Sequence, residues 1–143
     1  MILMSELRKR PWWMNTLMVF CAFMAVVYVP WDFFLKPVSQ DQEVWFGIML
    51  TGWWAKATEP LHWIIYAAGA WGFWHLRQWM HPWAALYTLQ VAAGMFVWSV
   101  FEEQGPGLIA GALTALPFLL LASMLWRSRP LFLTTARQGE QNS

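Results

Sequence analysis

Read as hydrophobic and polar positions, the chain shows four long apolar runs separated by polar breaks. The first run follows Arg8-Lys9-Arg10 and Pro11, and only Asn15 and Thr16 interrupt it before Pro30. About 18 apolar residues suffice to cross a hydrocarbon core of ~30 Å. A first span over residues 12–29 is therefore predicted. It reads as a retained helix and not a cleaved leader, because the apolar stretch exceeds the usual length and no small-residue cleavage site follows.

A long connection comes next, carrying Asp32, Lys36, Asp41, Glu43 and Lys56 with Pro30 and Pro37 as breakers. Inside it lies an apolar stretch, residues 44–55, worth about 18 Å as a helix and too short to span. Its Trp45, Trp53 and Trp54 favour the membrane–water boundary. It reads as an interfacial or re-entrant segment.

The second span is predicted over residues 59–76. Thr58 is placed to cap it, and Pro60 falls in its first turn, where a missing N–H costs nothing. Residues 77–81 make a short turn, and Pro82 opens a third span over 82–101. A turn at 102–106 leads to a fourth span over 107–126, with Pro117 in its interior. Short connections make antiparallel neighbours. The fold expected is all-α: one domain of four transmembrane helices, one short non-spanning segment, and a polar tail over 127–143, poorly ordered at its end.

Composition strengthens this reading. Of 143 residues, 59% are hydrophobic and only 12% charged, against roughly a quarter charged in soluble domains. The balance of nine basic and eight acidic residues leaves no basic surface for nucleic acid. The lone Cys21 cannot form an intramolecular disulfide or a thiolate zinc site, and in the first span it reads as a small apolar filler.

Charge then sets orientation. Four spans put Arg8, Lys9, Arg10, Arg77, Arg127, Arg129 and Arg137 on one side, and only Lys36 and Lys56 on the other. The positive-inside rule places both termini in the cytoplasm, and the compact loops suit a bacterial inner membrane. Most of the 13 Trp fall into two interfacial belts. Trp71 and Trp74 are the exceptions, lying within the cytoplasmic half of a span.

Candidate chemistry is sparse. No Asp, Glu, Lys or Arg lies at mid-depth, which argues against a pump or an ion channel. Gln90 is the deepest polar residue, either a ligand contact or an interhelical hydrogen bond. At the outer helix ends, Glu59 and His62 stand at i, i+3 on one face, and Glu102 and Glu103 close the third span. A carboxylate beside an imidazole is a competent acid–base pair; the same residues also read as a helix-terminus charge, a backbone contact and solvated acids. One Glu-x-x-His step is too little for a di-iron bundle, so no metal is expected. His75 and His81 flank a tight hairpin turn, poor geometry for a bis-His haem, and no cofactor is identified.

Asp32 with Lys36, and Lys56 with Glu59, read as exposed pairs of small worth. Trp53, Trp54, Trp63 and Tyr66, with Phe46, could line a site for a flat or isoprenoid ligand, or simply occupy the boundary. Small residues at Ala68 and Gly72, and at Gly107, Gly111 and Ala115, permit close helix contact, within the chain, in a homo-oligomer or with another membrane protein. Two functions follow: a non-catalytic protein that associates with membrane proteins or lipids, or an intramembrane enzyme using Glu59 and His62 on a lipophilic substrate at the outer leaflet.

Overall fold

A computed structural model describes residues 2–133. The chain is mostly helical, in the order α1 (Ile2–Arg8), α2 (Trp12–Phe23), a π-helical turn (Met24–Tyr28), α3 (Val29–Leu35), β1 (Gln42–Trp45), β2 (Ile48–Thr51), α4 (Trp53–Trp74), α5 (Met80–Phe101) and α6 (Leu108–Arg127). Two compact units emerge. One holds residues 1–35, 59–80 and the described part of 130–143; the other holds residues 36–58 and 81–129.

Three helices are long and apolar enough to cross a membrane: Trp12–Leu35, Met80–Phe101 and Leu108–Arg127. Only 22–28% of their apolar windows is buried. Side chains such as Val26, Leu113 and Leu120 are exposed, as lipid-facing positions require. The fourth expected span is not among the three. α4 has the length, 22 residues, but it begins at Trp53 and takes in Lys56 and Glu59. Thr58 does not cap it. Its hydroxyl donates to Ala55 O at 2.7 Å inside the helix, and Pro60 sits in the helix interior.

The first helix also departs from expectation. It continues past Pro30 to Leu35 instead of ending near residue 29. Proline lacks an N–H and crowds the carbonyl four residues back. Here the turn before it is widened: Val29 N donates to Met24 O, five residues back. A π turn of this kind lets a helix absorb such a residue without breaking.

In the first unit, α2 and α4 run antiparallel. Phe20 meets Tyr66 edge-on at 6.0 Å between ring centroids, and Phe34 meets Trp63 at 6.3 Å. The start of α2 reaches the end of α4 through Arg10. Cys21 faces Gly69, where an added Cβ would lie 3.1 Å from its sulfur. Met14, Met18, Phe73 and Leu76 are buried here. The tail also contributes: Phe132 is buried, its ring 6.4 Å from that of Phe73. The rest of the predicted tail, residues 134–143, lies outside the described residues.

In the second unit, α5 and α6 are antiparallel across a short turn. Gly111 packs against Phe96 and Ser99, and the His81 ring lies 5.2 Å from that of Trp126. Gly111 and Ala115 are thus taken up in the chain's own packing, and only Gly107 of that stripe is open. The interfacial or re-entrant segment expected at 44–55 is divided between a hairpin and the first residues of α4, 53–55. Residues 42–51 form an antiparallel hairpin with Gln42 opposite Thr51 and Trp45 opposite Ile48. Phe46 and Gly47 make its turn at φ 51° and 85°, the double left-handed geometry of a type I′ hairpin.

Candidate functional site

The residues best placed for chemistry lie around the hairpin and the first turns of α4. In the second unit, Asp41 is the hub. Its Oδ1 accepts from Lys36 Nζ at 3.1 Å and its Oδ2 pairs with Lys56 Nζ at 3.2 Å. Its side chain is wholly buried, with those of Lys36 and Lys56 20% and 9% exposed. Lys56 also donates to Lys36 O at 3.2 Å, and Gly52 N donates to Asp41 O at 3.0 Å. One carboxylate therefore clamps both feet of the hairpin. Charges removed from water this far need close partners, and these have them.

In the first unit, Asp32 on α3 and Glu59 on α4 are 3% and 1% exposed. A carboxylate oxygen of each lies within 4.8 Å of the other. Each of these five ionisable residues has at least one further interaction. The exposed setting expected from the sequence is thus corrected: Asp32, Lys56 and Glu59 are buried, and the Lys36 side chain is 20% exposed.

His62 stands one turn beyond Glu59 on the same helix. It is half-buried, with its ring 6.2 Å from that of Tyr66. Glu102 is half-buried and Glu103 exposed, in the turn that ends α5. Gly105 N donates to Glu102 O at 2.9 Å there. Trp53 and Trp54 point outward, more than three-quarters exposed. Trp63 and Tyr66 are half-buried in ring contacts within their own unit. Gln90 is half-buried on α5, and its amide nitrogen would be 3.7 Å from a Cβ at Gly94.

That glycine locates the hairpin tip. A Cβ at Gly94 would lie 3.3 Å from Gly47 N, and a Cβ at Gly47 would overlap Val97. Gly94 and Val97 precede the end of α5 by about 10 and 6 Å of helix. The tip therefore packs part-way down α5, one turn from Gln90, with Phe46 70% exposed beside it.

Two features were not foreseen from sequence. The first is the Asp41 clamp. Its one sequence signal is that charged residues bracket the apolar stretch on both sides. The second is Arg10, counted from the sequence only among the basic residues of the cytoplasmic side and found 4% exposed. It donates through Nε to Asn15 Oδ1 at 2.9 Å and through Nη1 to Phe73 O and Trp74 O at 3.3 and 2.5 Å. Its guanidinium lies 5.3 Å from the Trp74 ring. A cation is favoured at the carbonyl end of a helix. Burial lowers the Arg10 pKa, and Glu6 opposes that. Nη2 finds no partner among the described residues. His75 is occupied by Trp71, with Nδ1 3.0 Å from Trp71 O and rings 3.8 Å apart.

In comparisons with protein-family models, curated proteins and solved structures, nothing matches the chain.

Proposed function

We propose that this is a small multi-pass inner-membrane protein that acts without catalysis, by associating with membrane proteins or lipids. The observation that carries the reading is the closure of its ionisable groups. Asp41 and Glu59 are 1% exposed and Asp32 is 3% exposed, so a substrate reaches none of them. The long helices, by contrast, leave most of their apolar surface uncovered.

Four crossings with both termini cytoplasmic remain the favoured topology. α4 is about 33 Å long at 1.5 Å per residue and lies antiparallel to the apolar helix Trp12–Leu35. A helix paired along its length with a spanning partner is carried across with it. The distribution of Lys and Arg agrees with that orientation.

The enzymatic alternative rests on His62, half-exposed one turn from Glu59. Complementation of a deletion strain by Glu59→Gln and His62→Ala separates the two readings. Association predicts that both variants, when inserted at normal abundance, restore the phenotype. Loss of complementation by both with abundance unchanged would establish the catalytic reading instead.

A further inference from the structure

The first unit contains an open apolar furrow of about 510 Å³ between α2, its π turn and α4. Its floor is Ala22, Ala25, Ala67 and Ala70, and Trp71 and Trp74 stand at one end. These are the two Trp that neither interfacial belt accounts for. The volume falls within the range of small-molecule sites, which are mostly apolar with a few placed polar groups. Beside it Cys21 closes against Gly69, so the two helices touch.

Charge selects the occupant. At the Trp74 end the buried Arg10 guanidinium lies over the indole and adds its charge there. Arg8 and Arg77 are exposed on the same unit. The acid nearest in sequence, Glu6, is bonded to Lys9 at 2.7 Å. That end is net positive, and no charged residue lines the furrow. Each basic side chain near an anionic lipid surface contributes a favourable interaction.

We propose that the furrow binds one acyl chain of an anionic phospholipid whose phosphate is held by the exposed Arg8 and Arg77 at the Trp74 end. This deepens the association reading by naming one associate, and it rests on that reading in treating the chain as membrane-embedded.

The test is native mass spectrometry of the full chain in detergent, titrated with phosphatidylglycerol or phosphatidylcholine of identical acyl chains. One phosphatidylglycerol is expected to bind about tenfold more tightly than phosphatidylcholine, as one to two basic contacts imply. Ala67→Leu, which fills the floor at an exposed position, removes that preferred site. Trp71→Ala, which removes a wall that is 55% exposed, weakens it without disturbing the core. Equal binding of the two lipids overturns the proposal, as does an unchanged preference in both variants. A photo-crosslinker at Val26 that captures a protein helix in place of lipid also overturns it. In that last case the association reading stands and only the lipid assignment falls.

Discussion

At the scale of single residues, the Asp41 clamp makes the sharpest prediction. Asp41→Asn leaves Lys36 and Lys56 facing each other without their shared counter-charge. Breaking a buried pair from one side costs about 3–5 kcal/mol. We expect unfolding of Asp41→Asn in detergent at a midpoint well below wild type. Lys36→Met, whose side chain is 20% exposed, should cost less, about 1 kcal/mol, as partly exposed pairs do. A larger loss for Lys36→Met than for Asp41→Asn would contradict the clamp. These charges were readable in the sequence as residues and not as a site. Spacing suggested Asp32 with Lys36 and Lys56 with Glu59, and gave no sign that Asp41 joins the two lysines. The partner both lysines find in the second unit is Asp41, five residues beyond one and fifteen before the other. A hairpin brings the three together.

At the scale of elements, α5 and α6 were readable because long apolar runs bounded by turn residues admit one interpretation in a membrane. The hairpin was hidden. Its strands are half-buried along most of their length, so the alternation that marks a strand is missing, and Phe46-Gly47 is not the usual Asn-Gly turn signal. The start of α4 was masked by Thr58 and Pro60, which together imitate a helix N-terminus. The hairpin tip supports two predictions. Gly47→Ala places a Cβ both in a left-handed backbone and against Val97. It should cost about 1–2 kcal/mol from the backbone alone, with faster deuterium exchange at the Gly52 amide, which bonds to Asp41. Phe46 holds φ 51° while exposed, a strained setting for an aromatic residue. We expect Phe46→Cys to resist a membrane-impermeant maleimide and Ser39→Cys, exposed in the preceding turn, to react readily. Equal labelling would put the tip in water.

At the scale of the whole molecule, the distribution of basic residues predicts a cytoplasmic C-terminus, even though among the described residues only three helices are apolar enough to span on their own. A C-terminal reporter active only in the cytoplasm should therefore be active, and one active only outside should be silent. The reverse result would require three crossings. The whole-molecule reading was the easiest part of the sequence to recover, since composition alone excludes a water-soluble exterior. The clamp adds a matter of timing. Its three residues all lie between positions 36 and 56, and local contacts form before distant ones. As the chain leaves the ribosome, the hairpin can lock as soon as the first turns of α4 are made, while α5 and α6 are still to be synthesised. α5 then packs onto a hairpin already fastened at its base.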